Sequence, residues 1–367
     1  MGNHLQSMFR MDHRARQKRF AVTVAQAKVD AFLVTHLPNV RYLCGFTGTA
    51  GVLVHAGGRY AFFTDGRYIE QARREVQGAR VVIAQKAALA AAAEWLSRRR
   101  AQTLGVEAEH LTLSARASLA KMLRSTRLRP TVGLVERLRM GKDAEELSLI
   151  RRAVRLGSSL FGVARAAIRP GATESDVAAE LEYRARRSGA EGMAFETIVA
   201  AGLHSALPHW RASSQPIPNT GFVVLDFGVI LSGYCSDMTR TLWVGKPDRK
   251  ARAMYQAVLE AQLAAIQAVR SGTTVGDVDR AARGVLKRAG LARYFTHSTG
   301  HGVGLEIHEA PRLAQGQSEV LQPGMVVTIE PGVYIPGRGG VRIEDMVAVT
   351  ESGCEVLTPT TKEFISI

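Results

Sequence analysis

The stretch GFVVLDFGVILSGYCSDMTRTLWVG, residues 221–245, consists of two β-branched and aromatic runs around a Gly-containing turn. This pattern predicts neighbouring antiparallel strands. The runs carry Asp226 and Asp237, eleven residues apart. A lone carboxylate in a buried strand is costly to desolvate, and two presented side by side can share a cation. Taken singly, each also fits a simpler role, Asp226 in a strand-end turn and Asp237 in an ion pair with Arg240.

Further along, FTHSTGHGVGLEIHEAPRL (295–313) places His297, His301 and His308 in a Gly-rich segment. Histidine serves as metal ligand and acid–base group, and the glycines allow close backbone approach. The His297/His301 spacing suits a metal-binding helix, but Gly300, Gly302 and Gly304 argue against a helix there. VVTIEPGVYI (326–335) puts Glu330 at the end of an apolar strand closed by Pro331-Gly332. GGVRIEDMVAV (339–349) puts Arg342 and Glu344 on one strand face and Ile343 and Asp345 on the other. An Arg342–Glu344 salt bridge is the simpler reading of that pair. Four carboxylates with imidazoles and no thiolates form an oxygen-rich set suited to manganese, cobalt, iron or zinc. Four anionic ligands overcharge one divalent ion but match two, about 3.5–4 Å apart, bridged by carboxylates and a hydroxide.

The surrounding chain is that of an ordinary globular protein: 367 residues, 46% hydrophobic and 22% charged. That length accommodates two domains. Cys44, Cys235 and Cys354 form no CxxC pair, which disfavours a disulfide framework or a thiolate zinc site and fits a reducing compartment. No apolar run is long enough to span a bilayer, and MGNHLQSMFRMDHRARQKRF lacks a secretion signal's apolar core, so a cytoplasmic location is expected. Met8 and Met11 leave the start position open. The formal charge of +15 is uneven: residues 1–140 carry 23 basic and 9 acidic side chains, and residues 141–367 carry 25 and 24. The basic residues are scattered without interleaved aromatics, which favours a solvated Arg-rich surface over a nucleic-acid site.

Residues 1–139 alternate helix and strand patterns, predicting a three-layer α/β domain. Within it AGVLVHAGGRYAFFTD (50–65) reads as a hairpin, LPNVRYLCGFTG (37–48) as loop and LRPTVGLVE (128–136) as strand. Residues 140–367 begin with amphipathic helices after acidic first turns and continue as Gly- and Pro-bounded strands. PGATESDV (170–177) and SGTTVGDV (271–278) suggest an internal duplication of helical segments flanking one sheet.

The ordered set Asp226, Asp237, His301, Glu330 and Glu344 resembles that of the pita-bread metallopeptidases, in the branch of Xaa-Pro aminopeptidase (aminopeptidase P) and Xaa-Pro dipeptidase (prolidase). NVRYLCGFTG (39–48), FTDGRYIEQA (63–72) and RMGKDAEELSLIRRA (139–153) resemble that branch's first domain and domain junction. The resemblance implies a creatinase-like N-terminal domain over 1–139 and, over 140–367, a pita-bread catalytic domain with a central antiparallel sheet flanked by helices. It also implies a homodimer. Asp226 would hold one metal, Asp237 and Glu344 would bridge both, and His301 and Glu330 would complete the ligand set of the second metal. SALPHW (205–210) would supply His209 to the substrate and the tetrahedral intermediate, with His308 acting likewise and Glu330 shuttling a proton. His297 would line the pocket, and Arg342 would orient Glu344 or its neighbours. Cleavage of the N-terminal Xaa-Pro bond follows, with Xaa-Pro aminopeptidase as the first reading and Xaa-Pro dipeptidase as the alternative. For the latter, Arg312 would meet the dipeptide carboxylate, unless it pairs with Glu309. Methionine aminopeptidase normally lacks the large first domain and creatinase lacks the ligands. A non-catalytic binding module typically loses ligands that are all present here.

Overall fold

The computed structural model describes residues 11–169 and 171–367. The first half of the N-terminal stretch read for a leader, with Met8, lies outside them. The chain divides into two compact units, one ending at Arg139 and one running from Met140 to Ile367. Among the described residues no helix is long and apolar enough to cross a membrane.

The first unit is a six-stranded mixed sheet between helices. Its order is Arg80–Ile83, Arg59–Thr64, Val52–Ala56, Ala31–Val34, Thr103–Glu107, Arg127–Thr131. Strand Ala31–Val34 shows why there are three layers. Its side chains alternate, so Phe32 meets Phe20 of helix His13–Gln26 edge-on at 5.2 Å. Ala31 and Leu33 face the other way, in a core shared with Ala92, Ala93 and Leu96 of helix Ala88–Ser97. The hairpin over Val52–Thr64 turns on Gly57 and Gly58 with φ of 56° and 70°, the left-handed geometry of a tight hairpin turn.

Two local expectations are corrected. LPNVRYLC is helix Leu37–Cys44: Pro38 stands in its first turn, Gly45 closes it at φ 85°, and Val40, Leu43 and Cys44 bury one face. Tertiary burial outweighs the loop-like composition. Residues 128–136 are divided between strand Arg127–Thr131 and helix Leu134–Met140, with Gly133 at φ 66° making the change of direction.

In the second unit the named strands all pair antiparallel, forming a central β structure flanked by two helix pairs. These pairs are Ala144–Ala167 with Glu174–Arg187 and Arg249–Ala268 with Val275–Arg288. The second helix of each pair is capped by threonine, Thr173 and Thr274, whose hydroxyls accept from Asp176 N and Asp277 N. Strand Gly221–Phe227 sets the division of faces. Val223, Leu225 and Phe227 pack with Leu160, Val177 and Leu181 of the first helix pair, each large side chain worth about 1.5–3 kcal/mol of burial. Alternation sends Asp226 to the opposite face.

Candidate active site

Strand register brings the acidic residues together. Gly221–Phe227 pairs with Met238–Val244 so that Asp226 lies opposite Thr239, and Asp237 immediately precedes the second strand. His301 is the middle residue of the short strand Gly300–Gly302, which lies between Glu309–Leu313 and Val326–Ile329. Only glycine fits at its ends: a Cβ on Gly300 would stand 1.9 Å from Thr328 O, and one on Gly302 2.2 Å from Ala310 O. Glu330 follows strand Val326–Ile329, and Glu344 lies in the link between strands Gly339–Arg342 and Asp345–Val349. The faces divide as the sequence suggests, with Ile343 in the apolar core and Asp345 behind it.

Asp226, Asp237, His301, Glu330 and Glu344 all line one cavity of about 760 Å³. His209, His297, His308, Arg312 and Arg342 line it as well. One ligand atom each from Asp237, His301 and Glu344 lie within 4.8 Å of one another. His301 Nε2 is 3.6 Å from Asp237 Oδ2 and 3.4 Å from Glu330 Oε1. Its Nδ1 is 3.0 Å from Gly302 O, which only accepts, so Nδ1 carries the proton and Nε2 presents its lone pair to the carboxylates.

The electrostatics are unbalanced. Burial, then the charges of Glu344, Asp226 and Glu330, push the Asp237 carboxyl well above the usual range. Burial with Glu330 and Asp226 does the same to Glu344, and burial lifts Glu330 to about 7 against the pull of Arg342. His301 and His308 are lowered by burial, hence neutral at pH 7. Among the described residues Arg342 is the one cationic side chain bonded to the four carboxylates, through Nη2 to Asp226 Oδ2 at 2.5 Å. Asp226 Oδ1 is buried and has no hydrogen-bond partner among the described residues. A buried carboxylate oxygen left bare among three more carboxylates lacks positive charge, and oxygen donors with one imidazole Nε2 suit hard or borderline divalent cations. The residues present therefore fit the metals.

Several simpler pairings are absent. Arg240 bonds Asp345, at 2.7 Å, rather than Asp237. Arg342 bonds Asp226 rather than Glu344, which it reaches only through Thr239: Arg342 Nε donates to Thr239 Oγ1 at 3.1 Å, and that hydroxyl donates to Glu344 Oε2 at 2.6 Å. Glu309 pairs with Lys142 at 3.2 Å, and Arg312 is exposed with no ion pair among the described residues. His301 and His308 meet edge to face at 4.4 Å.

Tyr334 gave no signal in the sequence, being one aromatic in an apolar strand. Arg342 Nη1 donates to its hydroxyl at 2.6 Å, and the hydroxyl donates to His297 Nε2 at 2.9 Å. His297 Nδ1 lies 2.8 Å from Ser298 O, which assigns the proton to Nδ1, and burial with the Arg342 charge lowers this imidazole to about 3. His297 is thus a neutral support behind Arg342 as well as a wall of the pocket. Thr239 was also missed, since its role depends on a residue 105 positions away.

Residues 148–351 match metallopeptidase family M24, and residues 16–141 match the creatinase/prolidase N-terminal domain. The fold superposes on a Xaa-Pro dipeptidase from Bacillus anthracis with a TM-score of 0.94 and 42% identity, covering 97% of this chain and all of that one. It superposes on an X-Pro aminopeptidase from Thermotoga maritima with a TM-score of 0.88 and 32% identity, covering 94% and 100%. In sequence it is 37% identical to a Xaa-Pro dipeptidase of Pyrococcus horikoshii over 92% of this chain and 95% of that protein. The two-domain pattern and the carboxylate cavity accord with these likenesses, and the chain belongs to metallopeptidase family M24.

Proposed function

We propose that this metallopeptidase is a Xaa-Pro dipeptidase in which Asp226, Asp237, His301, Glu330 and Glu344 would hold two divalent ions. The observation that carries the metal reading is the buried, partnerless Asp226 Oδ1 beside three further carboxylates compensated by one arginine. The dipeptide reading rests on Arg312, exposed at the cavity wall while Glu309, its alternative partner, is engaged by Lys142. Dipeptidases among the similar proteins support it further, reversing the order that the sequence suggested. When bound, the ions, with manganese foremost and cobalt, zinc or iron also suited, supply Lewis acidity that acidifies water and polarises the scissile carbonyl.

The chain's own groups do the rest. Water adds to the Xaa carbonyl carbon, the C–N bond to proline breaks, and the water's proton passes through a Glu330 carboxylate oxygen to the proline nitrogen. His209 and His308 donate N–H groups toward the carbonyl oxygen as charge develops there. Arg342, held by Tyr334, orients Asp226. Ile198 and Trp210 provide apolar surface along the cavity for the substrate's ring or side chain. The test compares Xaa-Pro and Xaa-Pro-Yaa peptides side by side, and a dipeptidase prefers the former in kcat/KM. The aminopeptidase reading stays open through the likeness to the Thermotoga maritima enzyme, and preference for the longer peptide would establish it instead.

A further inference from the structure

The loop carrying His209 lies between two anchors. On one side Arg342 Nη1 donates to Pro208 O at 3.2 Å, tying the loop to the Asp226 pair. On the other stands Glu174, the first residue of helix Glu174–Arg187, whose side chain is 1% exposed and whose two oxygens are each filled by named donors. Its Oε1 accepts from Ala201 N at 2.8 Å and lies 2.9 Å from His204 Nδ1. Its Oε2 accepts from Trp210 Nε1 at 2.8 Å, Ser213 Oγ at 2.6 Å and Ser213 N at 3.1 Å. His204 and Trp210 stack with ring centroids 3.8 Å apart. His209 makes no hydrogen bond or ion pair of its own among the described residues, so its place depends on its neighbours.

We propose that Glu174 is a positioning residue, which sets His209 and Trp210 against the cavity by gathering the Trp210 and Ser213 donors into one buried carboxylate. This inference rests on the reaction proposed above for its kinetic effect, but the loop geometry stands apart from it. A neutral carboxamide cannot replace the carboxylate. Gln at 174 has one acceptor oxygen, and its NH₂ group would face donors where an oxygen now accepts. The lost bonds would release Trp210 or Ser213 and let the loop shift. Burial raises the Glu174 carboxyl, and the bonds from Ser213, Ala201, Trp210 and His204 outweigh it, leaving the group below its ordinary value and ionised.

The test is a double-mutant cycle of Glu174→Gln with His209→Ala in the metal-loaded enzyme, with Xaa-Pro dipeptide as substrate. Glu174→Gln is expected to lower kcat about 10- to 100-fold while KM changes less than about threefold, the pattern of a misplaced group that acts in the transition state. Its metal content stays that of the wild type. His209→Ala, added to Glu174→Gln, costs much less than in the wild type, because the imidazole is already displaced. Glu174→Asp, which keeps both acceptor oxygens, recovers part of kcat. A purely structural role gives additive losses in the cycle, and additivity or a kcat within about twofold of wild type overturns the proposal. Trp210 emission, isolated by subtracting Trp210→Phe, reads the loop without any substrate. A shift in Glu174→Gln supports the anchor and an unchanged spectrum overturns it. Should Glu174→Gln fail to fold, Ser213→Ala carries the same cycle and spectrum. A wild type that cleaves no Xaa-Pro peptide counts against the proposed reaction alone.

Discussion

Glu344 and Asp345 are neighbours in sequence and opposites in surroundings. Asp345 is fully buried behind the strand, where Arg240 and Lys362 meet it at 2.7 Å each and Gln262 donates at 2.9 Å. Glu344 is equally buried, yet among the described residues Thr239 is its one hydrogen-bond donor, and Glu330 and Asp226 press on it with like charge. One face of the chain satisfies its carboxylate and the other leaves its group short of positive charge. Satisfied buried carboxylates hold a fold together, whereas clustered unsatisfied ones are costly unless something else binds them. The contrast separates a structural site from a chemical one within two residues.

Substitutions on the two faces should fail in opposite ways. Asp237→Ala should lower kcat/KM on Xaa-Pro peptides by about 10³-fold or more, since it removes a proposed metal ligand. The metal-free form of that variant should melt no lower than metal-free wild type, because one of four mutually repelling carboxylates is gone; calorimetry with chelator checks this. Asp345→Ala should instead destabilise the fold by about 3–5 kcal/mol, as two cations lose their buried partner, and chemical denaturation measures it. If both variants melted alike in the metal-free state, the distinction between the faces would be lost.

Smaller effects sharpen the same contrast inside the cavity. His209→Ala should lower kcat by about 10²-fold with both metals still bound, given its proposed role of aiding the developing oxyanion without ligating. Steady-state kinetics with elemental analysis would show it, and loss of metal would place His209 among the ligands. Arg312→Ala should raise KM for Xaa-Pro dipeptides about tenfold, the order of one charge-assisted contact at an exposed position, and change Xaa-Pro-Yaa peptides less. Equal effects on both peptides would remove Arg312 from carboxylate recognition.

The carboxylates were legible because charge in an apolar strand is conspicuous and the strand period assigns it to a face. Alternation alone predicts that Asp226 parts from Val223, Leu225 and Phe227, and that Arg342 and Glu344 part from Ile343. Partner choice was not legible. Arg240 lies three residues from Asp237 in the chain but binds Asp345, because strand Met238–Val244 alternates faces beyond Asp237. Tyr334, Thr239 and Glu174 owe their roles to groups that are near only after folding, and each looks ordinary in its own segment. Helix Leu37–Cys44 was hidden by Pro, Asn and Gly, whose turn-forming tendency is overcome by burial of its apolar face.

The proposed role of the four carboxylates and His301 is to hold two cations. Elemental analysis of protein dialysed against a divalent ion tests it directly, with wild type beside Asp237→Ala. Two cations held in this way give about two equivalents per chain in wild type and a clear loss in the variant. Wild type without bound metal, or a variant that keeps both equivalents, would contradict it.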